Sequence, residues 1–202
     1  MIDFVATFIF FFAAIDPIGT IPIFIEVTRK EDIFTKRKIA IKATLTAAAI
    51  LLFFVIAGEF ILNEINIPLP AFQVAGGIVL FLFALSMIFG ESKPEEEVKM
   101  IPDSQEKAIY PLAVPSIAGP GPMLGAVLRT ENASFTFWEQ FQITMTMMSV
   151  LLVVLTFMFG SSYIYRLIGN GGASVASRVM GMILASMATE SVLAGIRAYF
   201  SL

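Results

Sequence analysis

The chain has 202 residues, of which 57% are hydrophobic, 12% aromatic and only 14% charged, with a net charge of −3. Soluble domains carry about 25% charged residues, so an ordinary water-soluble enzyme, a disordered chain and a nucleic-acid binder are excluded. The absence of cysteine and histidine removes disulfides, thiolate chemistry, Cys/His zinc sites, haem ligation through His and Ser-His or Cys-His hydrolysis, which leaves a membrane protein working through carboxyls, amides, hydroxyls and backbone.

A spanning helix needs about 20 apolar residues to cross ~30 Å of hydrocarbon. Six stretches qualify: 2–27, 39–62, 71–90, 109–128, 142–163 and 178–200. The first contains Asp16-Pro17 and Pro22, and the fourth contains Pro111, Pro115 and Ser116, then Gly119-Pro120-Gly121-Pro122. The first stretch has no basic leader, carrying only Asp3, and its apolar run passes a proline instead of ending at a small-residue cleavage site, so it is expected to be retained. Lys and Arg fall on one side of the spans. Arg29, Lys30, Lys36, Arg37, Lys38 and Lys42 follow the first span, Lys93, Lys99 and Lys107 the third, and Arg166 and Arg178 the fifth. Only Arg129 and Arg197 lie on the other side, so 11 of 13 basic residues mark a cytoplasmic face. This predicts a multi-pass membrane protein with both termini outside.

The one sustained polar stretch, 91–106, reads as a cytoplasmic linker. It divides the chain into a first three-helix unit (1–90), a linker (91–108) and a second three-helix unit (109–202). Three is odd, so two units of one fold must lie in opposite orientations. Ala71, Val74 and Gly76 recur as Ala176, Val179 and Gly181 at an offset of 105, and Pro17 maps to Pro120 at 103. The expected fold is all-α: a polytopic membrane protein of six transmembrane helices in two inverted three-helix repeats, with helices 1 and 4 broken.

Asp16-Pro17-Ile18-Gly19 is the strongest local signal. Proline removes a donor and clashes with the preceding turn, and glycine lets a helix stop or restart. A second helix starting near Thr20 would present free N–H groups and a positive dipole end suited to a carboxylate. The plainer reading is a kink at which Asp16 caps the following segment. Gly119-Pro120-Gly121-Pro122 forms the second break, and short interrupted segments at matching places in two halves point to a midplane transport site. The substrate-binding candidates are therefore Asp16, Pro17, Gly19, Thr20, Gly119, Pro120 and Gly121. Glu190, between Thr189 and Ser191 in the sixth span, is costly in hydrocarbon unless paired, hydrated or protonated. With no histidine, Asp16 and Glu190 are the proton-coupling candidates; the alternative for Glu190 is a place at the outer interface.

Other polar positions carry structural readings. Glu59 and Lys42 are expected at interfaces, where a lysine snorkels. Thr144, Thr146 and Ser149 are expected to bond back to their own helix. Gly181, Ala185 and Thr189 suggest a small-residue packing face. Asn132-Ala133-Ser134 matches a glycosylation acceptor and means little outside a eukaryotic secretory setting.

The chain resembles the MarC family of six-span integral membrane proteins, the family of SnatA-like small neutral amino acid transporters. The resemblance rests on Asp16-Pro17-Ile18-Gly19-Thr20-Ile21-Pro22-Ile23-Phe24, on Ala75-Gly76-Gly77-Ile78 through Ala84-Leu85-Ser86-Met87-Ile88-Phe89-Gly90, on Tyr110-Pro111-Leu112-Ala113-Val114-Pro115 with Ala118-Gly119-Pro120-Gly121, and on Arg178-Val179-Met180-Gly181. It implies transport of small neutral amino acids such as glycine and alanine, with proton coupling as an option. Members usually carry a neutral residue, often Gln, near Glu190, and often Leu-Asp-Gly where this chain has Leu193-Ala194-Gly195, so a proton role for Glu190 is not implied by the family.

The expected partners are a neutral amino acid, membrane lipid and protons, with no cofactor, no metal and no nucleic acid; the oligomeric state is open. The rivals are a channel, a structural membrane subunit and, less favoured, an intramembrane aspartyl enzyme. That enzyme would need Asp16 and Glu190 face to face and lacks a Gly-x-Gly-Asp motif. Orientation has a direct test in a chain without native thiols. Among the single-cysteine variants T35C, I65C, M100C and A133C, an impermeant thiol reagent added to intact cells should label only positions 65 and 133; labelling at 35 or 100 reverses the topology.

Overall fold

The computed structural model describes residues 3–64, 67–89, 108–130 and 135–200. The expected linker, apart from Ala108, and the Asn132-Ala133-Ser134 sequon lie outside them. Among the described residues all regular structure is helical: α1 (Phe4–Ile15), α2 (Pro17–Val27), α3 (Ile33–Glu64), α4 (Leu69–Phe89), α5 (Ala108–Ile117), α6 (Pro120–Leu128), α7 (Phe137–Phe159) and α8 (Ser161–Tyr199). Phe4–Val27, α3, α4, α7 and α8 are each long and apolar enough to cross a membrane, and α5 with α6, bent by 56°, makes a sixth candidate span.

Local chemistry explains where these helices begin and stop. The Asp3 side chain accepts the N–H groups of Val5 and Ala6 and starts α1. Asp32 accepts the Phe34 N–H at the start of α3, and a side-chain hydrogen bond from Thr35 holds its carboxyl below the usual range. Thr136 and Glu139 form a reciprocal capping box at the start of α7. Pro111 and Pro115 interrupt α5, where Tyr110 and Val114 take extended conformations and the peptide bonds to both prolines are cis. The hydroxyls of Thr144, Thr146 and Ser149 bond back to the carbonyls of Gln140, Gln142 and Thr146.

Two expectations are corrected. The stretch between the fifth and sixth spans, read as a loop up to Arg178, is helical. The chain turns at Gly160 and then runs as α8, interrupted only at Gly169 (φ 62, ψ −177). Gly169, Gly171 and Gly172 lower the hydropathy there, but Ala173 and Ser177 are buried, and that packing outweighs a propensity cost of about 1 kcal/mol per glycine. The packing stripe of α8 is also different: the buried positions are Ser177, Gly181, Leu184, Ala188 and Gly195, whereas Ala185 is half-buried and Thr189 exposed.

The first span lies at the centre. Its apolar window is 72% buried, against 28% for α3 and for α4 and 22% for α8. The last three instead expose large apolar side chains such as Phe53, Leu82 and Leu193, as lipid-facing helices do. Most contacts have a counterpart in the other half: α1 and α2 touch α7 while α5 and α6 touch α3, α2 touches α8 while α6 touches α4, and α1 meets α6 while α5 meets α2; the contacts of α8 with α1 and with α7 have none of comparable extent. α4 and α8 share the most extensive interface and run antiparallel, Gly77 lying on Ala188 and Val192, Gly181 on Ala84 and Met87, and Gly195 on Pro70 and Val74.

Glycine at 181 is a packing requirement. A Cβ there would come within 2.9 Å of the Met87 Cβ and 3.0 Å of the Ala84 carbonyl oxygen. Gly181→Leu should therefore force α4 and α8 apart and destabilise the protein by at least the ~1–3 kcal/mol typical of an overpacked core, read as a lower thermal midpoint in detergent.

Candidate functional site

Asp16 joins two helices. Proline cannot continue α1, and the residue before a proline is driven out of the helical region. Asp16 takes the left-handed conformation (φ 53, ψ 70), its N–H still bonded to the Phe12 carbonyl, and Pro17 starts α2. Aspartate tolerates this conformation better than most residues. The side chain then caps the helix that follows, Oδ1 accepting the Gly19 N–H at 3.0 Å. Ser177 of α8 donates to the other carboxyl oxygen at 2.5 Å. The Thr20 hydroxyl donates to the Asp16 carbonyl at 3.1 Å and lies 3.3 Å from the Ser116 hydroxyl of α5. Asp16, Thr20 and Ser177 have no exposed surface and Ser116 has 1%. Gly19 must be glycine, because a Cβ would overlap both the Asp16 carboxyl and the Ser177 hydroxyl.

This node sits in the middle of the chain's most buried span, between the 12 residues of α1 and the 11 of α2. The second break lies level with it. Thr20 meets Ser116, and the Phe10 ring occupies the space a Cβ on Gly125 would need. In both pairs the residue numbers sum to 135 or 136, as they do where two segments run antiparallel. Gly121 is buried with Phe83 and Leu80 of α4 close against it.

The plainer reading of the first break holds in one respect. α2 begins at Pro17, not near Thr20, and its first turn is capped by Asp16 itself, so the Gly19 N–H is already engaged. α6 differs. Its cap residue, Gly119, has no side chain to offer, and Pro120 and Pro122 carry no N–H, so the peptide N–H of its first three residues belongs to Gly121. Glu190 is not part of this node. Thirteen residues separate it from Ser177, about 20 Å along α8.

Glu190 instead lines a second feature, a cavity of about 210 Å³ whose walls include Phe10, Gln73, Leu80, Arg129 and Ser191. Sequence reading noted Ser116 only as part of the fourth span's break and Ser191 only as a neighbour of Glu190, and gave no site role to these or to Ser177 and Gln73, because isolated polar residues in apolar helices look alike until packing selects which ones meet. Arg129 carried a signal, as one of only two basic residues off the basic face.

The architecture is that of a polytopic α-helical membrane protein with two spans broken at one level. The MarC family integral membrane protein model matches residues 1–200, and the chain belongs to that family. It is 33% identical over 197 residues to a UPF0056 membrane protein of Methanocaldococcus jannaschii, covering 96% of both chains. A UPF0056 membrane protein of Buchnera aphidicola from Acyrthosiphon pisum is 28% identical over 200 residues, covering 99% of both. One from Archaeoglobus fulgidus is 30% identical over 196 residues, covering 96% of this chain and 92% of its own. No solved structure matches the chain.

The node makes a stability prediction. Ser177→Ala removes a hydrogen bond to a buried carboxyl and should cost about 1.5–3 kcal/mol. Asp16→Ala, which strands the Gly19 N–H and Ser177 together, should cost more than Asp16→Asn, which keeps the shape. Chemical or thermal denaturation in detergent checks the order.

Proposed function

We propose that the protein transports small neutral amino acids of the glycine and alanine type by alternating access, at the level where its two broken spans cross. The observation that carries this reading is Asp16, a carboxyl with no exposed surface at a mid-span break, held by Ser177 from the other end of the chain. An ionisable group in that position is expensive and marks a functional site by default. The paired contacts of α1–α4 and α5–α8 support two inverted units, 1–90 and 109–202, joined by a cytoplasmic linker.

In this scheme the substrate ammonium displaces Ser177 from Asp16, and the substrate carboxylate takes the Gly121 N–H at the start of α6. A zwitterion suits the arrangement because each of its charges is met locally, which spares the cost of a bare ion in low dielectric. Asp16 is the group placed to accept a coupling proton at this level; Glu190, far along α8, would act only at a different stage of transport. The bacterial and archaeal relatives support a prokaryotic plasma (inner) membrane, and the distribution of basic residues supports both termini outside.

The test is uptake of labelled glycine or alanine by proteoliposomes. Saturable uptake with counterflow is expected for the wild type, with at least a tenfold loss in Asp16→Asn and in Gly121→Leu. Wild-type uptake by both variants sinks the site, and flux without saturation favours a channel.

A further inference from the structure

We propose that the cavity between Arg129 and Glu190 is a second binding site, which takes the zwitterion of a small apolar amino acid before or after it occupies the midplane node. The inference deepens the transport reading by adding a station on the same route, and it rests on different residues.

Its basis is a pair of opposite charges that share a cavity without sharing a bond. Arg129 ends α6, stacked over the Phe10 ring at 4.4 Å, and it lies within electrostatic reach of Glu190 on α8. Among the described residues neither side chain makes a hydrogen bond or ion pair. Only 14% of this chain is charged, so two such groups facing one space in an otherwise apolar bundle need a reason. A half-buried guanidinium with its donors unused is unfavourable until an anion arrives, and its fork fits a carboxylate in bidentate fashion. Glu190, exposed at the mouth, accepts an ammonium. An α-amino acid brings both groups on one carbon and bridges the two side chains.

Size and lining narrow the class. The volume of about 210 Å³ falls below the ~300–1,000 Å³ of pockets that hold drug-sized ligands. Besides the two charges and the polar Gln73 and Ser191, the lining is apolar, with Phe10, Leu80 and Leu128 giving a small apolar side chain a place. Phe10 also ties the cavity to α1. Its ring is 3% exposed, fills the notch left by Gly125, and lies six residues, about 9 Å along α1, from Asp16. The cavity is thus lined by a residue of the helix that ends at the node.

The experiment is binding to the purified full chain, by calorimetry, with alanine and its two half-ligands, propionate and ethylamine. Measurements on wild type and on Asp16→Asn separate the cavity from the midplane. Alanine should bind at least tenfold tighter than either half-ligand in both proteins. Glu190→Gln should lose at least tenfold in alanine affinity while keeping propionate, and Arg129→Gln should lose as much while keeping ethylamine. Arg129→Lys should recover part of the loss, which guards against a variant that merely folds badly. No alanine binding to the wild type, or alanine affinities in Glu190→Gln and Arg129→Gln within twofold of it, overturns the proposal. The two readings fail separately. Normal uptake with unchanged KM in the Arg129 and Glu190 variants removes the cavity site and leaves transport standing. Alanine binding that needs Arg129 and Glu190 in a protein that moves no amino acid does the reverse.

Discussion

A carboxyl group in the middle of a hydrocarbon-spanning segment must be satisfied by protein, and the arrangement around Asp16 follows from that constraint. Pro17 forbids a continuous helix, so the break exposes backbone groups just where water is scarce. The Asp16 side chain answers part of that need by capping α2, and Ser177 and Thr20 answer the rest. Because Ser177 belongs to α8 and Ser116 to α5, satisfying one break draws the second half of the chain against the first. The first span, with 72% of its apolar window buried, therefore carries a fully buried carboxyl near its centre, an expensive combination that pure packing would not select.

Close helix packing makes the node possible. Ser177 reaches Asp16 only if α8 approaches α2 closely enough that Gly19 has no room for a Cβ. The same stripe of α8, one turn further on, uses Gly181 and then Ala188 and Gly195 to lie flat on α4. In lipid, where no hydrophobic effect pulls helices together, such small residues gain dispersion contacts through proximity. α8 consequently carries two tasks on one face, closing the node at one end and bracing α4 along the rest. Any motion that opened Asp16 would have to slide or tilt that face.

Much of this was legible in the chain. Six apolar stretches, two of them broken by proline and glycine, are visible because hydropathy and proline act locally, and the matching structure has five candidate spans, the first of them broken at Asp16, and one bent pair. The back-bonded hydroxyls of α7 were legible for the same reason. The helix through 164–177 was not, because glycine-rich composition hides a segment whose order comes from the neighbours of Ala173 and Ser177. The packing stripe of α8 was misread by one helical step. Small residues occur on several sides of that helix, and only α4 decides which of them are covered.

The sequence by itself determined that the chain lives in a membrane, that its first and fourth spans break, and that Asp16 is the carboxyl committed to the first break. These depend on residue type and spacing within about 20 positions, the length of one span. Only the tertiary structure decided which groups complete the node, that the two breaks meet through Thr20 and Ser116, and that Glu190 shares a cavity with Arg129 instead of joining Asp16. Those are meetings between residues 61 to 161 positions apart. They are set by the register of helix against helix, and nothing in local composition encodes a register.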